Sequence, residues 1–463
     1  MIEAASALEP LAALLGRLPA ERRLVSVTLP AAIDDPCATV FASRMAGDRW
    51  FAWEQPDRHG FALAGLGSAH EAVSRGAERF DDLVAECAGV MRARLADEPE
   101  GLPAGAGPVW TGGFAFAAEG AAAPHWSSFP PALLVLPELS LLRIGGQVWL
   151  TLSAIAGGGV EPDQVEARLA RRLASVREQP LPMFDPSPRG ESRITSVTPP
   201  RAYEEAVAAA TTRIRAGELD KVVLAREVAV EAPAAHDPAA TFGALRELFP
   251  SCFCFCAGTP EGAFLGASPE LLVRRRGAGV ATVALAGSTR RSADPAVDDH
   301  LGEQLLRSDK DRSEHRIVAR RIERKLAPRS VWVEAGADPG VVKVANIQHL
   351  ATPVHAQLAD PLSAVELAAL LHPTPAVGGE PDREAQAAIA ELEDIDRGWY
   401  AGPVGWMDAA EDGEFCVALR SALLRDRTAH LFAGAGIVAD SDPAAELAET
   451  ELKLEALLPL LAG

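Results

Sequence analysis

Two charged segments place acidic side chains at the spacing of one helix face. In SDKDRSEHR, Asp311 and Glu314 are three residues apart, and in DPAAELAETELK, Glu446, Glu449 and Lys453 follow at intervals of three and four. Residues at these intervals are neighbours on a helix surface. If the two helices face each other, their carboxylates would make a hard-oxygen site of the kind that Mg²⁺ prefers. Taken singly, each set is more typical of a solvated surface.

A lysine and a glutamate stand at the ends of apolar runs. Lys221 opens KVVLAREVAV, and Glu270 lies in GASPELLV, directly after a turn shaped by Ser268 and Pro269. A lysine becomes a base near neutral pH when burial pulls its pKa down from about 10.4. The two residues could supply a base and an acid on opposite sides of a substrate, although a solvated lysine and a turn glutamate are the commoner outcomes.

Three further segments are rich in groups that bind anions. GSTRR (287–291) offers hydroxyls, Arg420 ends FCVALR with a guanidinium, and AGAGI (433–437) is interpreted as a glycine loop with free backbone N–H groups. All of these groups bind carboxylates. A Gly-rich turn between strands is more often a plain hairpin, and AGAGI matches neither of the common nucleotide-binding patterns.

Histidines and cysteines could hold a metal, but their spacing favours other roles. His349 in NIQHLATPVH and His372 in LHPTPAVGG lack the close ligand spacing of a zinc site, so we expect each to be hydrogen-bonded or to line a pocket. Cys252, Cys254 and Cys256 alternate with phenylalanines in SCFCFCAG. This alternation predicts a buried strand with a thiol face and an aromatic face rather than a metal site.

The overall charge narrows the class of partner. A net charge of −20, from 64 acidic and 44 basic residues in 463, argues against binding nucleic acid or an anionic membrane, so we expect a small-molecule substrate. Residues 1–23 carry no basic leader, and the longest apolar run, PALLVLPELSLL, is too short and broken to span a bilayer. Six cysteines are too few for a disulfide scaffold. The sequence therefore predicts a cytoplasmic protein.

Strand and helix patterns alternate along the chain. The first part, to about residue 152, has short strand-like runs with helical patterns at 68–95 and 161–177, and the Pro- and Ser-rich segment 177–200 is typical of a linker. Next, TPPRAYEEAVAAATTRIRAGE predicts a helix with Gly217 at its C-terminal cap. A strand at 221–230, three strand-like segments and a long charged helix at about 299–325 follow. These elements must bring the polar residues together.

A series of ordered motifs resembles the chorismate-utilising enzymes, a family that includes isochorismate, salicylate, anthranilate and aminodeoxychorismate synthases. The motifs are KVVLAR, GASPELL, AGSTRR, SDKDRSEH, NIQHL, LHPTPAVGG, DRGWYAGPVGW, ALRSALL and AGAGIVADSDPAAELAETELK. They cover about 203–458, and the earlier WSSFPPALLVLPELSL is similar to menaquinone-type isochorismate synthases. The resemblance implies one large α+β domain over 1–463, like component I of anthranilate synthase, with two packed antiparallel sheets and outer helices. Within it, 1–185 matches weakly and 200–458 is the catalytic core.

The resemblance also implies roles for the polar residues. Lys221 would be the base that activates water for attack at C2 of chorismate, and Glu270 the acid that protonates the departing C4 hydroxyl. The implied Mg²⁺ ligands are Glu314 and Glu449, with Glu446 nearby and with Asp311, one methylene shorter than the Glu of some relatives, reaching the metal through water. The implied substrate-binding residues are Ser268, Gly287, Ser288, Thr289, His349, Thr374, Ala376, Val377, Tyr400, Arg420, Gly434, Ala435, Gly436 and Lys453.

The loop LHPTPAVGG distinguishes members of the family. Relatives that add ammonia or eliminate pyruvate carry a threonine in a TVSG-like setting, where this chain has Thr374, Pro375, Ala376 and Val377. Ala376 with Val377 resembles the isochorismate-synthase version, and the prolines fix φ angles of the loop. The expected activity is therefore Mg²⁺-dependent isomerisation of chorismate to isochorismate, for menaquinone or siderophore synthesis, with no glutaminase subunit. A salicylate synthase, or a subunit that depends on a glutaminase, is the alternative.

Overall fold

Twelve α-helices lie in the residues that the computed structural model describes, which are 4–18, 21–184, 190–344 and 347–463. They are α1 (Ala4–Leu15), α2 (Pro36–Ala42), α3 (Arg79–Arg92), α4 (Pro162–Ala174), α5 (Pro200–Arg215), α6 (Pro238–Leu248), α7 (Pro295–Arg307), α8 (Asp309–Leu326), α9 (Ala364–Leu371), α10 (Asp382–Leu392), α11 (Pro443–Leu454) and α12 (Leu458–Ala462). Many begin at a proline, whose fixed φ suits the first helical position. Short 3₁₀ helices lie at Pro124–Trp126 and Ala327–Arg329.

The strands of the described ranges are mostly short. They are β1 (Arg23–Ala31), β2 (Trp50–Gln55), β3 (Phe61–Leu66), β4 (His70–Ser74), β5 (Leu95–Asp97), β6 (Val109–Phe114), β7 (Ala132–Leu136), β8 (Leu139–Ile144), β9 (Gln147–Ala156), β10 (Arg193–Ser196), β11 (Lys221–Glu231), β12 (Phe253–Thr259), β13 (Gly262–Ser268), β14 (Leu271–Arg276), β15 (Gly279–Arg290), β16 (Ser330–Ala335), β17 (Gly340–Val344), β18 (Ile347–Leu358), β19 (Gly379–Glu380), β20 (Pro403–Asp408), β21 (Gly413–Val417), β22 (Ser421–Arg425) and β23 (Thr428–Ile437).

These strands form two sheets, antiparallel except for the parallel pair β1 and β5. The larger sheet has the order β10-β11-β23-β22-β13-β12-β2-β3-β8-β9-β1-β5, with β19 beside β11, and the smaller has β16-β18-β15-β14-β21-β20-β6-β7-β4, with β17 beside β18. The predicted α+β class with two antiparallel sheets is confirmed. Strands from before residue 185 and after residue 200 share both sheets, which supports our proposal that the two parts fold as one unit.

Two hydrophobic cores separate the layers. Trp53 of the larger sheet and Trp110 of the smaller belong to one core, between the sheets, whereas the second core lies between the larger sheet and helices that include α1, α4 and α6. Strand β12 contributes to both, because Phe255 lies in the first core and Cys254 and Cys256 lie in the second. The predicted strand with an aromatic face and a thiol face is confirmed.

The elements that begin the second part agree with the sequence pattern. Helix α5 buries Tyr203 and Val207 at helical spacing, and Gly217 follows it at a φ of +77°, the left-handed conformation of a C-terminal cap. Strand β11 begins at Lys221, as predicted. It runs antiparallel to β23 over its whole length from Val222, and this ladder carries much of the site described below.

Two predicted helices were wrong in extent. The helix expected at 299–325 is two helices, α7 and α8, because Ser308 between them adopts an extended conformation and accepts the N–H of Asp311 as the cap of α8. The helical pattern at 68–95 contains strand β4, paired with β7, before α3 begins. A local pattern could not show either boundary, since the cap and the strand pairing depend on neighbouring structure.

Parts of three predicted segments lie outside the described residues. These are 1–3 and 19–20 of the opening segment, 185–189 of the predicted linker and Asn346 of the NIQHL motif. The described part of the linker contains β10, which pairs with β11. No helix in the described ranges is long and apolar enough to cross a membrane.

Candidate active site

Lys221 is fully buried at the start of β11, with 0% of its surface exposed. Its Nζ atom lies 2.8 Å from Oε1 of Glu314 on α8, an ion-pair contact that lacks hydrogen-bond geometry. Gly436 of β23, opposite Val223, makes room for this contact. A Cβ atom there would overlap Glu314 Oε1 and would lie 3.0 Å from Lys221 Cε. The absence of a side chain at Gly436 therefore lets the lysine and the carboxylate meet.

Glu270 lies between β13 and β14 and is 3% exposed. Its N–H donates to Ser268 Oγ at 3.2 Å, and Ser268 Oγ donates to the Val417 carbonyl at 2.5 Å, which fixes the turn. Burial raises the pKa of Glu270 to about 8, and Lys221 opposes this shift more than any other charge. Burial therefore favours the protonated form of the Glu270 carboxyl, which lies close enough to Lys221 to respond to its charge.

The two acidic helix faces meet, as the hypothesis of a metal site required. Lys310 Nζ on α8 lies 3.0 Å from Oε1 of Glu446 on α11, which is 2% exposed. One turn further along α11, Glu449 Oε1 lies 2.7 Å from Lys453 Nζ and accepts a hydrogen bond from Ser288 Oγ at 3.1 Å. Strand β15, which carries Ser288, therefore lies beside the place where α8 and α11 meet, which is called the junction below.

The donors at this junction suit a hard divalent cation. The carboxylates are those of Asp311, Glu314, Glu446 and Glu449. Burial is the main cause that raises the pKa of Asp311 and of Glu446, and neighbouring glutamates raise both further, so negative charge is concentrated here. Among the described residues these carboxylates do not form a group of three with oxygens within 4.8 Å of one another. Each of them contacts a nearby lysine or serine. Ligands that are all oxygen favour Mg²⁺ over zinc.

Arg420 supplies a guanidinium without an acidic partner. It follows β21 at a φ of +48° and makes no ion pair with any residue in the described ranges. Burial lowers its pKa, and Tyr400 and Glu449 are among the groups that oppose this, so they lie nearby. Burial raises the pKa of Tyr400 to about 12, which keeps its hydroxyl a neutral donor. A partly buried guanidinium beside a neutral donor fits a carboxylate of a ligand.

GSTRR belongs to a strand that faces the metal junction. Residues 287–290 continue β15, with a register shift at Gly287, where φ is +77° and a Cβ atom would press on Asp311. Ser288 lies opposite His349 of β18, and Thr289 pairs one position further along. Burial, followed by the charges of two nearby cations, lowers the pKa of His349 to about 3, so the ring is neutral. Its Nε2 atom is buried without a hydrogen-bond partner in the described chain, which suits a residue that contacts substrate.

The interpretation of AGAGI as a loop was wrong. Residues 433–437 are the end of β23, paired with β11. Val223 lies opposite Gly436, and Ala225 lies opposite Gly434. The N–H groups of Val223 and Ala225 donate to acceptors outside the ladder, at 2.7 and 2.6 Å respectively. In an antiparallel ladder, a residue whose N–H bonds outside the ladder belongs to a non-hydrogen-bonded pair, and both residues of such a pair direct their backbone N–H and C=O groups away from each other's strand. Gly434 and Gly436 therefore direct their N–H groups away from β11, whereas Ala435 faces it. The Gly434 carbonyl accepts the Lys453 ammonium at 2.7 Å.

The loop LHPTPAVGG lies against the acid. Thr374 Oγ1 is 3.5 Å from Glu270 Oε1, and the Thr374 carbonyl accepts the N–H groups of Val377 and Gly378. Val377 is buried and Ala376 is half-buried. The structure therefore brings three predicted loop residues, Thr374, Ala376 and Val377, to the same wall as Glu270. His372, by contrast, hydrogen-bonds the Phe116 carbonyl at 2.9 Å, a structural role.

An ion pair that the sequence did not single out connects this loop to β11. Arg397 and Glu393 are both 4% exposed and bond to each other. Arg397 donates to the Val377 carbonyl at 2.9 Å and to the Val223 carbonyl at 2.8 Å, and Glu393 accepts the Ala225 N–H at 2.6 Å. The only sequence signal was their four-residue spacing, which surface helices share. The sequence likewise did not single out Lys310, because a lysine within a charged helical segment is also common on surface helices.

Arg397→Lys is expected to lower the free energy of unfolding by about 2–3 kcal/mol, because an ammonium cannot reproduce the fork that binds both carbonyls and Glu393. The comparison is Arg213→Lys, at an arginine that also bonds two acids but on exposed helix surface. That change is expected to stay within about 0.5 kcal/mol. Urea unfolding of the three proteins measures both values, and equal effects of the two substitutions would show that the buried fork does not hold the loop.

Comparisons with known proteins identify the family of the chain. A family model described as "Chorismate binding enzyme" matches residues 11–462. The chain is 37% identical to the salicylate biosynthesis isochorismate synthase of Pseudomonas aeruginosa (89% of this chain, 84% of that protein) and 32% identical to isochorismate synthase MenF of Bacillus subtilis (91% and 89%). The solved structure of the menaquinone-specific isochorismate synthase MenF of Escherichia coli superposes with a TM-score of 0.81 at 29% identity, over 99% of both chains. The chain therefore belongs to the chorismate-binding enzyme family.

Proposed function

We propose that the protein is an isochorismate synthase, an isomerase that converts chorismate to isochorismate. Its main support is a buried lysine, Lys221, near the buried carboxyl of Glu270, whose pKa burial raises to about 8. A base and an acid are the two groups that replacement of one hydroxyl by another requires. The relatives that share 37% and 32% identity carry the name isochorismate synthase, which supports the same reaction here.

In the proposed reaction, neutral Lys221 accepts a proton from a water molecule while the water oxygen bonds to C2 of chorismate. The C1–C2 double bond moves to C1–C6, the C5–C6 double bond moves to C4–C5, and the C4–O bond breaks. Glu270 gives its proton to the departing hydroxyl, which leaves as water. One water enters and one leaves, so the net change is an isomerisation. The proton gained by Lys221 and the proton lost by Glu270 are returned by exchange before the next turnover.

Two groups of residues are proposed to hold the carboxylates of the substrate. Arg420, Tyr400, Lys453 and the N–H groups of Gly434 and Gly436 would bind one of them. Glu314 and Glu449 would hold Mg²⁺, with Glu446 and Asp311 beside them, since these four carboxylates lie on the adjoining helices α8 and α11 and offer only oxygen donors. When bound, Mg²⁺ supplies positive charge and coordination positions for a substrate carboxylate.

The loop at Ala376 favours isomerisation over the alternatives. The alanine and the buried valine at positions 376 and 377 carry no hydroxyl to assist loss of the enolpyruvyl group, so pyruvate elimination is less supported than water addition. The amination branch is likewise less supported, and we propose that the enzyme acts without a glutaminase subunit. Isochorismate would feed menaquinone or siderophore synthesis, and the cytoplasmic location remains a prediction of the sequence.

Product analysis tests this proposal. Purified protein is incubated with chorismate and Mg²⁺ in the absence of ammonia, and products are separated by chromatography. Isochorismate with little salicylate or pyruvate is expected. Prompt release of salicylate and pyruvate would assign the protein to the salicylate synthases, and turnover only after addition of ammonia or a glutaminase would assign it to the aminating enzymes.

Gly436→Ala is expected to lower kcat by at least about tenfold, because the added methyl group overlaps Glu314 Oε1 and crowds Lys221 Cε. Displacing the Lys221 amino group by even about 1 Å from its working position is costly for a positioned catalyst. The matched control is Gly340→Ala, at a strand glycine of β17 where a Cβ atom meets nothing within 4 Å. Steady-state kinetics compares the two variants, and an equal, small effect of both would contradict the predicted crowding.

A further inference from the structure

A second cluster of potential metal ligands lies at the far end of the β11–β23 ladder. His125 is in the 3₁₀ helix Pro124–Trp126, Glu227 is in β11 and His430 is in β23. One ligand atom from each lies within 4.8 Å of the other two. Glu227 is six residues beyond Lys221, about 20 Å along an extended strand, so this cluster is separate from the carboxylates of the candidate active site.

The partners of these three residues are incomplete within the described chain. His430 Nδ1 lies 2.7 Å from Glu227 Oε1, and the Glu227 side chain is 4% exposed. No lysine or arginine of the described ranges makes an ion pair with Glu227. The Nε2 atom of His125 is buried and has no hydrogen-bond partner. The Glu227 carboxylate is buried and has no lysine or arginine partner among the described residues, and the nearby imidazole nitrogen of His125 has no hydrogen-bond partner there. A bound cation would interact favourably with both groups.

From this arrangement we propose that His125, Glu227 and His430 form a binding site for a divalent transition metal ion such as Zn²⁺. Two imidazole nitrogens and one carboxylate oxygen are a common ligand set for zinc and for first-row transition metals, whereas Mg²⁺ prefers oxygen alone. The site therefore selects a different metal from the one proposed for Glu314 and Glu449. It does not depend on the proposed function.

Metal binding requires one local rearrangement. The rings of His125 and His430 are stacked, with centroids 4.3 Å apart and planes 17° apart. A metal ion lies in the plane of each ring that binds it, so two nearly parallel rings cannot both point at one ion. One ring must turn, and His125 is the candidate because it lies in a 3₁₀ helix of three residues while His430 is held in a strand. Binding thus replaces the ring stack and the hydrogen bond between His430 and Glu227 with three coordinate bonds.

The bound ion would fasten the His125 segment to the ladder. Trp126, the next residue, donates its Nε1–H to the Asp396 carbonyl at 3.1 Å, and Asp396 Oδ2 accepts the N–H of Ala123 at 2.8 Å. Asp396 lies four residues before Tyr400, which is proposed to contact substrate. The metal is therefore a structural ion that stabilises the backbone leading to the substrate pocket, rather than one that contacts substrate.

Titration of the full chain with Zn²⁺ and Co²⁺, in excess Mg²⁺ that occupies the oxygen site, tests this inference. One Zn²⁺ per chain is expected by calorimetry, and Co²⁺ is expected to give visible d–d absorption that Zn²⁺ abolishes. His125→Ala and His430→Ala are expected to weaken binding by at least about 100-fold, since each removes a ligand. His355→Ala, at an exposed histidine of β18, serves as the control and is expected to leave binding unchanged.

A second variant covers the case in which the alanine variants do not fold. Glu227→Gln keeps the size of the side chain and loses the anionic ligand, so Zn²⁺ is expected to raise the melting temperature of the unaltered protein but not of this variant. Glu449→Gln is expected to retain the Zn²⁺ effect. Absence of Zn²⁺ binding by the unaltered protein, or binding that survives His430→Ala and Glu227→Gln but not Glu449→Gln, would overturn the proposal.

Discussion

Lys221→Ala is expected to lower kcat by about 10³-fold, with the fold retained. A positioned general base contributes about 10²–10⁴-fold to a rate, and no other described lysine contacts Glu314. Steady-state kinetics with chorismate measures the loss.

Two further lysine variants test whether the reaction requires Lys221 as a base or only a positive charge at this position. Lys221→Arg keeps a cation beside Glu314 but cannot lose its proton near neutral pH, so it is expected to be about as inactive as the alanine variant. Lys343→Ala removes a partly exposed lysine that pairs with the buried Asp298 and the exposed Asp299 and is expected to keep nearly full activity. If Lys221→Arg retained activity within about threefold, a positive charge rather than a base would be required at this position.

Glu270→Gln is expected to lower kcat by about 10²–10⁴-fold, because an amide of the same shape cannot give a proton to the leaving hydroxyl. In the unaltered protein the active form of Glu270 is the protonated one, so activity is expected to fall as pH rises through about 8. The apparent value belongs to the coupled pair of Lys221 and Glu270. The residual activity of Glu270→Gln is expected to lack this alkaline limb. A pH profile of kcat checks both statements.

Stability gives a second, independent readout of Glu270. Its pKa is 4.5 when unperturbed and about 8 in the folded protein, so between these values the folded state holds a proton that the unfolded state has released. Stability therefore declines with rising pH across this window, by up to about 1.4 kcal/mol per pH unit from this group. Glu270→Gln removes that slope, whereas Glu261→Gln, at the exposed turn between β12 and β13, is expected to keep it. An unchanged slope in Glu270→Gln would contradict a buried, protonated carboxyl.

The structural elements that could be predicted from the sequence are those that depend on residues close together in the chain. The alternation of Cys and Phe in β12 predicted a strand with two different buried faces, and the spacing of Tyr203 and Val207 predicted α5. Both elements follow from side-chain periodicity, which sequence displays directly. The order of the motifs implied the α+β fold and grouped the polar residues of the site before any contact was known.

Features that depend on strand register and distant partners were not predictable. AGAGI was interpreted as a loop because glycines favour turns, yet Gly436 is a strand residue whose missing side chain leaves space for the contact of Lys221 with Glu314. Nothing in the local sequence shows which strand lies opposite. The same holds for Arg397, whose burial and two carbonyl partners arise only when the LHPTPAVGG loop packs against β11.

Incorporation of ¹⁸O from labelled water is the most direct test of the central claim that Lys221 and Glu270 exchange one hydroxyl for another. Chorismate and Mg²⁺ are incubated with the protein in H₂¹⁸O, without ammonia, and early product is analysed by mass spectrometry. The proposed mechanism predicts isochorismate with one ¹⁸O atom, in the hydroxyl at C2, and none in the enolpyruvyl group. Unlabelled isochorismate would mean that the C4 oxygen is transferred within the substrate, and would contradict activation of water by Lys221.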